Sequence, residues 1–143
     1  AALPRGVAVD AVSQLGARYA VRAQSAWLSW PADLEERLVA WVAENHAATR
    51  SGDRARTQRV AQSFDDIIRT VLDHCRATAR EHDADNVTAR LMRTEVNGKP
   101  LSEAQIVSVL RNWTGGDLGS MALCVGVLLH HALRRLRSEL TPQ

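Results

Sequence analysis

The chain has 143 residues, enough for one domain with its own core. Its hydrophobic share of 45%, charged share of 24% and formal net charge of +2 are ordinary for a globular protein and give no general attraction to nucleic acid. Aromatic residues make up 4% and alternation of period two is nearly absent, so almost everything reads as helix. The first predicted helix runs from about Ala11 to Leu28, with Val12, Leu15, Tyr19, Ala23 and Ala26-Trp27 as its apolar stripe. Trp30-Pro31 ends it, because the residue before proline is disfavoured in the helical region, and Pro31 suits the first turn of the next helix. That second helix carries Leu34, Leu38, Trp41 and Val42 and fades by Thr49. Ser51-Gly52-Asp53 reads as a turn. A third helix spans about Arg54 to His82, with Val60, Phe64, Ile67-Ile68, Val71-Leu72 and Cys75 on one face, and His82-Asp83-Ala84-Asp85 breaks it. A short helix from Val87 to Arg93 and a turn at Val96-Asn97-Gly98-Lys99 follow. The last element is a long helix over 103–136, opened by a capping box of Ser102 and Gln105. Ile106, Val107, Val109, Leu110 and Trp113 form its first apolar face, and Leu123, Val127, Leu128 and Leu133 resume the periodicity. Met121 to Leu129 is apolar all round, which predicts that this helix crosses the middle of the fold. The expected architecture is a single all-α domain of about five helices with one long central helix.

Most reactive side chains have plain readings. Cys75 and Cys124 are far apart and lack metal-ligand spacing. Cys124 reads as a small buried hydrophobe, and two unpaired thiols fit a reduced, cytoplasmic setting. His130-His131 do not converge, because adjacent helical residues point about 100° apart. His46 and His74 stand alone and read as ordinary hydrogen-bonding residues. Glu35-Glu36 and Asp65-Asp66 read as solvated faces, and the four tryptophans, Trp27, Trp30, Trp41 and Trp113, as core. No metal site is expected. The uninterrupted apolar run is shorter than the roughly 20 residues of a membrane span, and no signal peptide is visible. Ala1-Ala2-Leu3-Pro4 reads as the tail of an interrupted helix, so an excised or trimmed chain is expected.

One feature of the long helix needs a reason. Gly115-Gly116-Asp117 lies at its centre, where each glycine weakens a helix by about 1 kcal/mol relative to alanine. A missing side chain admits something flat or large close to the backbone. The plainer alternative is that Gly115, Gly116 and Gly119 let a neighbouring helix cross closely.

The context of these glycines resembles bacterial cytochromes P450. The resemblance is carried by Asp85-Asn86-Val87-Thr88-Ala89-Arg90-Leu91-Met92, by Asn97-Gly98-Lys99-Pro100-Leu101-Ser102-Glu103-Ala104-Gln105-Ile106, and by Arg111-Asn112-Trp113-Thr114-Gly115-Gly116-Asp117. In that family such a lead-in opens the long central helix, which carries a small-residue motif with an acid and usually a threonine over the haem. Val12 to Pro31 is similar to the family's region upstream, and Val39 to Asp53 to the helix and turn above the substrate. The likeness covers this whole chain but only a middle portion of the family's chain. It implies that Thr114, Gly115 and Gly116 face haem, that Asp117 serves proton delivery with Ser120 as the nearest hydroxyl, and that residues of the second and third helices shape substrate access. It also implies a monooxygenase parent that draws electrons from NAD(P)H through a redox partner. Leu118 stands where the family keeps its threonine, and neither cysteine lies in a glycine-rich loop of the kind that supplies the iron's thiolate. The expectation is therefore a truncated P450, inactive and without haem of its own. The alternative is a haem-free helical protein that self-associates through the long helix as a homo-oligomer.

Overall fold

A computed structural model describes residues 6–78 and 86–140. Among them are five α-helices, a π-helical segment and one two-residue hairpin, the all-α class that the periodicity predicts. The π-helical segment, Ala11–Gly16, runs directly into α1, Ala17–Leu28. It starts where Asp10 accepts hydrogen bonds from the backbone N–H groups of Val12 and Ser13. These bonds, with Ser13 contributing most, hold the Asp10 carboxyl below its ordinary range. Ser29 then adopts a left-handed conformation (φ 56°) and closes the helix before Trp30-Pro31.

Helix α2, Glu35–Ser51, follows one turn of 3-10 helix at Ala32–Leu34 and ends at Gly52, whose φ of 69° satisfies a left-handed cap. Helix α3 covers Arg54–Thr78, and α4 covers Val87–Met92 under an Asn86 cap. The predicted turn is a hairpin of β1, Glu95–Val96, and β2, Lys99–Pro100. Asn97 and Gly98 both have positive φ, as a tight hairpin turn demands. The predicted end of the third helix at His82, and the break from His82 to Asp85, lie outside the described residues. Helix α5, Glu103–Leu140, is 38 residues long and opens on the predicted box, with Gln105 Oε1 accepting from the Ser102 N–H at 2.8 Å.

The core lies where α2, α3 and the first half of α5 meet. Leu38, Trp41, Val42, Phe64, Ile67, Ile68, Val71, Leu72, Leu110 and Leu118 are buried there, as the 3.6-residue periodicity of each segment requires. Trp41 stacks on Phe64 at 4.0 Å and donates its indole N–H to the Val60 carbonyl at 2.9 Å. Trp30 donates to Thr88 Oγ1, which in turn donates to the Leu28 carbonyl, so a buried hydroxyl ties α4 to the end of α1.

Helix α1 departs from its predicted stripe. Tyr19 and Trp27 are more than half exposed, while Gly16, Ala17, Ala20, Val21, Gln24 and Leu28 face α5. Small residues win this face because they allow close approach. A methyl on Gly16 would meet the Ala122 backbone, with Cα at 2.9 Å, and one on Gly126 would meet Val12 Cγ2 at 2.5 Å. Gln24 completes the crossing by donating to the Trp113 carbonyl of α5 at 3.0 Å.

The second half of α5 corrects a stronger expectation. The run from Met121 to Leu129 does not cross the middle of the fold. Ala122 and Gly126 are buried, but Leu123, Val127 and Leu128 are 54%, 67% and 68% exposed. Only one side of the helix has neighbours here, namely the π-helical segment and α1. Cys124 is accordingly exposed rather than a buried hydrophobe. Leu133 and Leu136 continue the open apolar surface. Over Glu103–Glu139 this helix is long and apolar enough to cross a membrane, a property that the uninterrupted run alone did not suggest. Core helices of water-soluble proteins meet the same criterion.

Candidate functional site

The glycines of α5 divide into two groups. Gly115 and Gly119, one turn apart, receive rings from the helices beneath them. A methyl on Gly115 would lie 3.7 Å from Phe64 and 3.8 Å from Trp41, an ordinary packing distance. A methyl on Gly119 would lie 2.9 Å from Nε2 of His46. Close helix crossing therefore accounts for Gly119, as it does for Gly126. Gly116 is different, because a side chain there would meet nothing within 4 Å.

Helical geometry then sorts the candidate residues. At 100° per residue, Thr114, Gly115, Gly116 and Asp117 spread over about 300° and cannot all face one group. Thr114 turns into the core, where its hydroxyl donates to the Leu110 carbonyl at 2.6 Å. Gly115 sits over the Trp41–Phe64 stack, and Leu118 is buried four residues after Thr114. Gly116, Asp117 and Ser120 are exposed. Gly116 and Ser120 share a face at i and i+4, and Asp117 neighbours Ser120 at i and i+3. The three form a small polar patch, flanked by Trp113 and Leu123, on the uncovered side of α5. Asp117 lies in water, so its charge needs no buried partner.

Charged groups elsewhere make structural pairs. Glu35 accepts from Arg22 at 2.8 Å and from Arg18 at 3.1 Å, and Arg18 also reaches Glu36. The Arg22 hydrogen bond is the main reason that the Glu35 carboxyl sits below its ordinary range. These arginines and glutamates border an open cleft of about 1120 Å³ between the start of the chain, α1 and the start of α2, whose apolar wall includes Leu15, Tyr19 and Ala23. The misassigned stripe of the first helix thus lines this cleft. Asp65 is not a solvated acid as read. Its side chain is only 13% exposed, and both carboxylate oxygens accept from Arg111 of α5. Burial raises the Cys75 thiol above its ordinary range. His130 and His131 are both exposed near the end of α5. Among the described residues no group of three His, Cys, Asp or Glu is arranged to hold a metal ion.

His46 was legible only as a lone histidine. What the sequence carried was a pairing of patterns, with rings at 41 and 46 on one helix and glycines at 115 and 119 on another. Nothing in the sequence alone says that those two helices touch. Compared with family models, curated proteins and solved structures, the chain matches none of them.

Proposed function

We propose that this chain is the distal helical wall of a P450-type haem-thiolate monooxygenase, contributing the long helix that lies over the cofactor and the helices that roof the substrate. The observation that carries the reading is the open patch of Gly116, Asp117 and Ser120 at the centre of a capped, otherwise packed helix. A helix loses stability at an interior glycine unless that glycine serves packing or a ligand, and Gly116 packs against nothing within 4 Å. A flat macrocycle fits such a surface, because no side chain stands between it and the backbone. The lead-in from Asp85 to Ile106 that resembles the family supports the same reading.

On this reading Gly116 admits the ring, and Ser120 and Asp117 present a hydroxyl and a carboxylate to the oxygen-binding side. Trp113 and Leu123 border the patch and exclude water from it once it is covered. Haem, when bound, supplies the activation of O₂ with electrons that originate from NAD(P)H. Cys75 lies within α3 and Cys124 within α5, and neither stands in a loop that could approach iron from the opposite face. The axial thiolate therefore comes from outside the described residues, and the 143-residue chain alone is inactive.

The test is spectroscopic. The product of the intact gene, reduced under carbon monoxide, shows the shifted Soret band of a thiolate-ligated haem and a mass well above 15.7 kDa. A haem-free product of 15.7 kDa overturns the reading.

A second reading rests on a separate observation. Leu123, Val127, Leu128, Leu133 and Leu136 are all more than half exposed along one helix. Contiguous apolar surface of this kind marks an interface. If the chain acts without haem, α5 is buried against its copy in a homo-oligomer. Sedimentation that shows a strict monomer at high concentration rejects this second reading.

A further inference from the structure

We infer that His46 is the proton donor behind Ser120, supplied to the long helix from α2 across the interhelical seam. The inference rests on the monooxygenase reading and assigns a role to a residue outside the helix that carries the motif. The residue that precedes Ser120 is Gly119, which has no side chain to offer. The place its side chain would take is filled by the His46 imidazole, with Nε2 at 2.9 Å, Cδ2 at 3.8 Å and Cε1 at 3.9 Å from the Cβ position. The nitrogen is the nearest ring atom, so the ring meets the backbone of α5 through its proton-carrying edge.

Two features hold it there. Trp41, five residues earlier on α2, lies over Gly115, one turn earlier on α5, so the two helices cross with one ring seated on each glycine. Gly119 itself makes the second seat. His46 is only partly buried, so the ring retains contact with solvent. Imidazole gives and regains protons near neutral pH, which suits a group that must turn over repeatedly. Asp117 lies on the opposite flank of Ser120 and is exposed to water. Ser120 therefore stands between a carboxylate on its own helix and an imidazole from the next.

The transfer balances without any electron change at His46. The imidazolium gives the proton on Nε2 to the hydroxyl oxygen of Ser120, while that hydroxyl passes its own proton to the oxygen-derived group being reduced on the Gly116 face. Neutral His46 then takes a proton from water.

The experiment uses the haem-loaded product of the intact gene. His46→Gln keeps the ring's approximate volume and removes its acid, and about a hundredfold loss of product-forming rate is expected at unchanged substrate binding. The decisive comparison is between two double variants. His46→Ala clears the seat, so His46→Ala/Gly119→Asp places an acid next to Ser120 on α5 itself, and this variant recovers at least a tenth of the rate. His46→Ala/Gly119→Ala clears the seat equally and recovers none. An independent readout is thermal unfolding: Gly119→Ala lowers the midpoint, and adding His46→Ala relieves that loss. If His46→Gln stays within twofold of the parent, or if both double variants recover alike, His46 is a packing residue and the inference is wrong. A gene product without thiolate-ligated haem overturns the reading beneath the inference and the inference with it. A product that shows the thiolate band while His46→Gln remains active rejects the inference alone.

Discussion

Two glycine-to-alanine substitutions on the same seam of helices should have opposite signs. At Gly116 a methyl meets nothing within 4 Å, and the position lies inside a 38-residue helix. Alanine there removes the glycine penalty of a helix interior, a gain of about 1 kcal/mol. At Gly16 a methyl is driven onto the Ala122 backbone, at 2.9 Å from Cα and 3.0 Å from the carbonyl carbon. Backbone cannot rotate away as a side chain can, so the whole α1–α5 crossing must open. Overpacking costs about 1–3 kcal/mol, and the upper end applies here. After subtracting the helix-propensity gain of about 1 kcal/mol, Gly16→Ala should destabilise by about 2 kcal/mol. The two variants should therefore differ by about 3 kcal/mol in urea unfolding followed by far-ultraviolet circular dichroism, with unchanged slopes. If Gly116→Ala destabilises as much as Gly16→Ala, the outward face of α5 is packed against something and the division of its glycines is wrong.

Other outcomes follow from single contacts. Thr88→Val should cost about 2 kcal/mol, because it leaves the Trp30 indole N–H and the Leu28 carbonyl without their shared buried partner. Equilibrium unfolding measures this directly, and a neutral result would mean that water replaces the hydroxyl. Asp10, Glu35, Glu44 and Asp53 all have carboxyls held below their ordinary range, the first and last chiefly by backbone N–H groups and the middle two by Arg22 and Arg56. A depressed folded-state pKa contributes stability that is complete above the ordinary carboxylate value of about 4 and is lost as pH falls through the lower folded value. The unfolding midpoint should thus fall below about pH 4, and Asp10→Asn should flatten that decline. Thiol labelling at neutral pH should modify exposed Cys124 before Cys75, which is half-buried and whose thiol is raised by burial. Equal rates would show that α3 opens locally.

Several elements were fully legible because their signals are local. The Ser102–Gln105 capping box, the stop at Trp30-Pro31 and the Asn97-Gly98 turn each depend on a few adjacent residues. The faces of α2 and α3 were legible because large apolar residues recur at helical spacing and no neighbour overrides them. The face of α1 was not. Its large residues, Tyr19 and Trp27, suggested a stripe, but the buried side is made of Gly16, Ala17 and Ala20. Close packing selects small residues for their lack of bulk, which a hydrophobic pattern does not register.

The candidate site divides in the same way. Gly115-Gly116-Asp117 was visible as an anomaly in a helix, and Ser120 as its nearest hydroxyl. Which of these face outward depended on which side of α5 the other helices cover. The seating of His46 on Gly119 lay further out of reach, since residues 73 positions apart in sequence meet only when two helices cross. The sequence by itself determined that the chain is helical, where its helices begin, and that the centre of the last one is unusual. Only the tertiary structure decided that Thr114 and Leu118 belong to the core, that Gly116 and Ser120 form the open face, and that the apolar run beyond them lies uncovered. Caps and periodicity are written in neighbouring residues, whereas exposure depends on which surfaces meet, and that is a property of the assembled helices.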